Sequence, residues 1–314
     1  MDRLKRWLGP IFIILIVLFF VLYLKDIDVS VFATVQLDWG LLLLANIISL
    51  GFRYWGVYIW RIILRALGAS SLPSFRILSA IYAKAWMARY IPGTVAWIGS
   101  KIYLANKHGI SKSRLTVSSL VEAGAQVVAT MSLALILLGI DPRLDVISWQ
   151  LKLVMITIGV AATLCLYPPI FNLLLRSAYR LIRRKDAYDE LRVNASAVIR
   201  SYLLYLGGAL IAGSAYYFLA AALSDDVKPE MFWYIIGASS LAGALGMATP
   251  FVPSGIGVRD GVQLVLLSLI LPKEIALIIT IASRLWSAAV DVLFYLIAAG
   301  LKPSTSRKTK DKLH

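Results

Sequence analysis

Long apolar runs separated by short polar stretches dominate the chain. Six of them, over about Pro10–Leu24, Trp39–Leu64, Leu115–Ile140, Leu151–Leu175, Ile199–Leu223 and Ile275–Leu301, predict membrane-crossing helices, since crossing a bilayer takes roughly 20 predominantly apolar residues. Two further apolar regions, about 73–107 and 231–271, do not read as simple spans. Each is interrupted by helix breakers: "RYIPGTVAWIG" at Arg89–Gly99 and "PFVPSGIGVRD" at Pro250–Asp260.

The loop charges decide how these regions are threaded. The N-terminus (Arg3, Lys5, Arg6), the 107–114 loop, the 176–192 loop and the tail are basic. The loops at 26–38, 141–145, 225–230 and 273–274 carry the acids. Basic loops stay cytoplasmic. Every loop then falls on its proper side if 73–107 enters and leaves by the cytoplasmic face and 231–271 by the outer face. The expected fold is all-α and polytopic: six spanning helices plus two re-entrant helical hairpins, with both termini cytoplasmic. The competing reading makes each irregular region a pair of short, tilted spans. The first apolar run follows "MDRLKRWLGP" without a small-residue cleavage site, so it reads as an uncleaved first span rather than a signal peptide.

The two broken regions also resemble each other. Tyr90-Ile91-Pro92-Gly93 aligns with Phe251-Val252-Pro253-Ser254 as aromatic, β-branched, proline, small. The order span, span, hairpin, span occurs twice in opposite orientation, the three-plus-three inverted repeat of secondary transporters. The repeats are assigned to 1–148 and 149–302, with a basic cytoplasmic tail at 303–314. Helix breaks at membrane depth must be buried in protein or line a wet cavity, because lipid cannot satisfy freed backbone groups. Gly255 and Gly257 would permit a tight turn. The helix start at about Gly257–Asp260 would offer an anion site, with Arg259 adding a full charge. A plain packing kink, with Arg259 paired to Asp260, is the alternative.

Charges inside apolar segments are costly, about 2.5–3.5 kcal/mol each on insertion scales, so they should face the protein interior. They are Arg53, Lys84, Arg89, Glu122, Arg259, Asp260, Arg284 and Asp291. Glu122 is expected to pair with Arg284, joining the two halves as a lock or as a switch. Arg53 and Asp291 lie nearer span ends, and Arg53 in particular is read as snorkelling. Arg89, beside Pro92 and Gly93, is the phosphate candidate on the cytoplasmic side, matching Arg259 on the outer side. Trp86 and Trp97 flank the first break. Trp7, Trp39, Trp149 and Trp233 sit near span ends, where aromatic anchors collect. Gly243 and Gly246 form a small-residue face suited to close helix contact.

Composition narrows the function classes. The 314 residues are 60% hydrophobic and 16% charged, with net charge +15. In a membrane protein that excess reads as basic cytoplasmic loops near anionic lipid, and no nucleic-acid motif accompanies it. One cysteine excludes an intrachain disulfide, and two histidines exclude a His-rich metal centre. There is no phosphate-binding GxxxxGK[ST] loop, so no nucleotide drive and no cofactor is expected.

"RYIPGTVAWIGSKIYLANKHGIS", the downstream "SSLVEAGAQ" and "PFVPSGIGVRDGV" resemble the lysylphosphatidylglycerol synthase transmembrane family, the flippase-like domain of multiple peptide resistance factors and of stand-alone proteins. The family usually shows a Pro-Gly-Gly-type turn followed by an Arg-Glu pair in the second motif; here Ser254 and Asp260 stand at those places. The resemblance covers nearly the whole chain and implies movement of lipids between leaflets. No room for the soluble aminoacyl transferase domain follows the last span, so a stand-alone translocation unit is expected.

The leading expectation is a non-enzymatic flippase or scramblase in the cell (inner, cytoplasmic) membrane for a phosphate-bearing lipid, either an anionic phospholipid or a polyprenyl-phosphate-linked sugar. Expected substrate-binding residues are Arg89, Pro92, Gly93, Glu122, Gly255, Gly257, Arg259, Asp260 and Arg284. Glu122 and Asp260 are also the carboxylates that would couple transport to protons. Membrane lipids are the expected partners, without nucleic acid, and a homo-oligomer stays open. The alternatives are a secondary transporter of a small anionic solute and a membrane-embedded glycosyltransferase or phosphatase.

Overall fold

The computed structural model describes residues 37–69, 71–90, 95–144, 148–164, scattered positions from 167 to 177, 194–249, 255 and 257–300. The expected first span, the 178–193 part of the basic loop and the tail lie outside the described residues. Within them the chain is helical: α1 (Trp39–Ala66), α2 (Phe75–Met87), α3 (Val95–Asn106), α4 (Lys112–Ile140), α5 (Trp149–Leu164), α6 (Ala195–Leu223), α7 (Phe232–Ala248), α8 (Val258–Leu267) and α9 (Lys273–Gly300). Short 3-10 turns continue α2 over Ala88–Tyr90 and lead into α7 over Pro229–Met231.

Five helical segments are long and apolar enough to cross a membrane: Trp39–Ala66, Lys112–Ile140, Ser196–Leu223, Pro229–Ala248 and Lys273–Gly300. Four of these are expected spans. The fifth, Pro229–Ala248, is the first arm of the second irregular region, and its 20 residues are by themselves long enough to cross a membrane. By contrast, α2 has 13 residues, α3 has 12 and α8 has 10. At about 1.5 Å per residue none of these reaches across a hydrocarbon core about 30 Å thick.

Local chemistry sets the helix ends. The Asp38 carboxylate accepts the Leu41 N–H at 3.0 Å, occupying one of the donors that a helix N-terminus leaves open. At the other end of α1, Gly68 takes φ +78°. Its N–H bonds to Arg65 O and the Ala69 N–H bonds to Leu64 O, the paired closing bonds of a Schellman turn, in which glycine supplies the left-handed residue.

α1 and α6 form the broadest helix pair among the described residues, followed by α4 with α7. The Asp38 N–H bonds to Ala222 O at 2.9 Å, so the start of α1 meets the end of α6 and the two run antiparallel. Gly208 makes the contact close: a Cβ there would lie 3.2 Å from the Trp55 ring. The Trp55 indole N–H in turn donates to Leu204 O at 2.8 Å. α4 lies centrally, with α1 and α6 on one side, α5 and α7 on others, and α3 beside it. α2 and α3 pack on each other, α2 against α9, and α8 against α7 and α9. Trp39, Trp149 and Trp233 are all more than half exposed, as expected of interface anchors.

Candidate functional site

A cavity of about 370 Å³ opens among α1, α4, α6, α7 and α9 and is reached by both broken regions. Trp86, Arg89 and Trp97 line it from around the first break, and Gly255 and Arg259 from the second. Arg53 of α1 completes a set of three arginines in its wall. Ligand pockets typically hold about 300–1,000 Å³ and are mostly apolar with a few placed polar groups; this cavity has that size and character.

The second break is built by close backbone approach. Gly255 and Gly257 take φ +65° and +84°, the left-handed region that side chains with a Cβ avoid. A Cβ on Gly255 would lie 2.7 Å from the Cα of Gly246, so neither space nor conformation tolerates one. Gly246 meets the stem of Arg259 in the same place, at 3.1 Å from a notional Cβ to the Arg259 Cβ. These glycines seat the start of α8 against the end of α7 and bring Arg259 to the cavity wall. Gly243, on the same small-residue face, has nothing within 4 Å of a notional Cβ and lines the cavity instead.

Asp260 does different work from that expected. Its Oδ2 accepts the Gly257 N–H at 3.0 Å, capping α8 from within its own first turn. Its Oδ1 lies 2.9 Å from Arg284 Nε, an ion pair without hydrogen-bond alignment. The Gly257 donor is therefore occupied by the protein itself, and Asp260 belongs to Arg284 rather than to its neighbour Arg259. Among the described residues Arg259 has no carboxylate within ion-pair distance, and it lies in the repulsive field of Arg284 and Arg89.

The expected Glu122–Arg284 pair does not form. Glu122 is fully buried, accepts the Tyr82 hydroxyl at 2.8 Å and pairs with Lys101. Lys101, 1% exposed, sits in an aromatic cage: its Nζ lies 4.4, 4.7 and 5.0 Å from the ring centres of Tyr82, Trp60 and Trp97. A cation over such faces is held by the ring quadrupoles. The pair ties α3 to α4, with α1 supplying Trp60, α2 supplying Tyr82 and α3 itself supplying Trp97. The reason Arg284 is not the partner is spatial: it reaches Asp260 on the adjoining α8.

Arg53 does not snorkel. It is 8% exposed, and its Nε donates to Asp291 Oδ1 at 2.7 Å. The same carboxylate accepts the Trp86 indole N–H at 3.1 Å and the Tyr90 hydroxyl at 2.6 Å, and lies 2.6 Å from the Arg89 guanidinium. Arg89 stacks over Trp86, with its guanidinium carbon 4.7 Å from the ring centre. Asp291 thus holds two of the three cavity arginines in place from behind.

Of the expected site residues, Arg89, Gly255 and Arg259 line the cavity. Glu122, Gly257, Asp260 and Arg284 are supports outside its lining, and Pro92 and Gly93 lie outside the described residues. Lys101 is not among the expected site residues, and Arg53 and Asp291, expected near span ends, instead form a buried pair at the cavity wall. A signal for Lys101 was present: Trp97 stands four residues before it, on one helix face, ready for a cation–π contact. Nothing in the sequence pointed to Arg53 with Asp291.

A family model for the lysylphosphatidylglycerol synthase TM region matches residues 7–294. None of the curated proteins compared with the chain matches it. The match runs through both broken regions and every described helix up to the last turns of α9, and on that extent the chain belongs to the family of the lysylphosphatidylglycerol synthase TM region.

Proposed function

We propose that this protein moves a phosphate-bearing lipid between leaflets of the cell membrane, as a flippase or scramblase without an enzymatic step. The observation that carries this reading is the shared cavity: Arg89 from the first broken region and Arg259 from the second line one mostly apolar space with arginines placed in its wall. A headgroup phosphate would sit among the arginines while its tails stay in lipid. Arginine suits this role because its planar, permanently charged fork matches phosphate oxygens.

In this reading the chain has six spans, two re-entrant hairpins and cytoplasmic termini, with inverted repeats over 1–148 and 149–302. The shortness of α2, α3 and α8 and the packing of α2 on α3 support the hairpins. The position of the cavity, between helices of both halves, suits a binding site at a repeat interface, where rocking of one half against the other gives alternating access.

Leaflet exchange of headgroup-labelled lipids in proteoliposomes tests the function. Exchange of an anionic phospholipid or polyprenyl-phosphate lipid, lost in Arg259→Ala and Arg89→Ala at unchanged folding, is the expected result. Absence of exchange for every lipid tried, with and without a proton gradient, in folded protein would overturn it.

A further inference from the structure

The charges around the cavity do not balance. Arg53 and Arg89 share the single carboxylate of Asp291. Arg284 takes Asp260, and Arg259 has no carboxylate among the described residues. Among the described residues four guanidinium groups therefore stand against two carboxylates, an excess of two positive charges. The caged Lys101–Glu122 pair nearby is neutral as a unit. The segments that close the two breaks, 91–94 and 250–256, contain no ionisable residue and supply no counter-charge.

Resting on the flippase reading of the same cavity, we infer that its ligand is a phosphate group carrying two negative charges, a phosphomonoester or a diphosphate, and not a singly charged phosphodiester. Two excess cations away from bulk water are costly unless paired, and a dianion satisfies both. The arrangement has two kinds of donor. Arg53 and Arg89 are held from behind by Asp291, with Trp86 stacked on Arg89. Their remaining guanidinium faces are directed by that anchoring. Arg259 approaches from the second break and is repelled by Arg89 and Arg284, a repulsion that a bound dianion between them relieves. The Nε of Arg89 is buried without a hydrogen-bond partner, so the guanidinium's pairing is incomplete within the protein. A phosphodiester would leave one of the two charges unmatched.

The test compares two probes with identical tails, dioctanoyl phosphatidic acid (a monoester) and dioctanoyl phosphatidylglycerol (a diester), with sodium phosphate as the tail-free arm. Full-length protein in phosphatidylcholine nanodiscs is titrated at low salt, reading tryptophan fluorescence, since Trp86, Trp97 and Trp286 line the cavity. At pH 8 the monoester should bind at least about tenfold tighter than the diester. The preference should shrink on acidification to pH 5.5, because a phosphomonoester loses its second charge with a pKa of about 6. Added positive charge on the protein at low pH would instead strengthen binding of both lipids, so the sign of the change in the monoester's own affinity separates ligand titration from protein titration. Arg259→Gln should abolish the preference and Arg259→Lys should retain most of it; the pH series needs no variant at all. Equal affinity for the two lipids, or a preference indifferent to pH, overturns the inference while leaving lipid exchange intact. Sodium phosphate binding as tightly as phosphatidic acid would keep the dianion and overturn the lipid reading.

Discussion

Arg53 of α1 and Asp291 of α9, 238 positions apart in the chain, meet in a buried contact of 2.7 Å. The contact joins the first and last described helices and ties the segment before the first break to them, because Trp86, Arg89 and Tyr90 all converge on the same carboxylate. The architecture of the cavity follows from this convergence: the arginine nearest the first break is oriented by the last helix.

Removing Asp291 should therefore cost more than removing an ordinary buried polar residue. Breaking a buried ion pair by deleting one partner typically costs about 3–5 kcal/mol, because the other charge is stranded. Asp291→Ala is expected to lower thermal stability strongly in detergent and to abolish lipid exchange. Asp291→Asn should fall between, since it still accepts from Trp86 and Tyr90. Thermal unfolding followed by size-exclusion chromatography checks both; a wild-type melting profile for Asp291→Ala would contradict the hub role.

Glu122 gives a parallel but separable case. Its replacement by Gln leaves Lys101 charged inside its aromatic cage without a counter-ion, and a loss of about 3–5 kcal/mol is again expected. The double variant Lys101→Met, Glu122→Leu removes both charges and should recover most of that stability. If the double variant also restores lipid exchange, the pair is a structural tie between α3 and α4; if exchange stays absent in a stable protein, the pair takes part in transport. Melting curves and exchange rates for the single and double variants together decide this.

Gly255 and Gly243 lie near the same space and should respond oppositely. Gly255→Ala forces a Cβ onto the Gly246 backbone and into a left-handed conformation that itself costs about 1–2 kcal/mol. It should destabilise the junction of α7 with α8 and displace Arg259. Gly243→Ala meets nothing and replaces glycine within a helix by the best helix former, so stability should be unchanged or slightly raised. Limited proteolysis and thermal melts of the two variants make the comparison.

Asp260 is expected to separate into two roles. Asp260→Asn keeps an acceptor for the Gly257 N–H but loses the ion pair to Arg284, whereas Asp260→Ala loses both. The cap alone is worth about 0.5–2 kcal/mol. Hydrogen exchange at 257–261 should remain slow in Asp260→Asn and accelerate in Asp260→Ala. Equal acceleration in both would show that Arg284, not the cap, holds the start of α8.

Much of this protein was legible in the order of its residues. The expected spans from Trp39, Leu115, Ile199 and Ile275 coincide closely with α1, α4, α6 and α9, because each needs only an unbroken apolar run with its backbone satisfied internally. The helix ends at Tyr90 and Ala248 and the restarts at Val95 and Val258 flank the proline- and glycine-bearing segments read from the sequence, because those residues act locally, and Gly255 and Gly257 take the positive φ that glycine allows. The sequence also required the charges at depth to find partners. It did not determine which. The expected partners are Arg284 for Glu122 and the interface for Arg53, whereas folding joins Glu122 to Lys101 and Arg53 to Asp291. Charge pairing depends on distances that span helices far apart in the chain, and a salt bridge leaves no periodic trace as an apolar face does. The convergence of both broken regions on one cavity was likewise decided only by the packing of α7 and α8 beside α9, where Gly246 and Gly255 let the backbones come close.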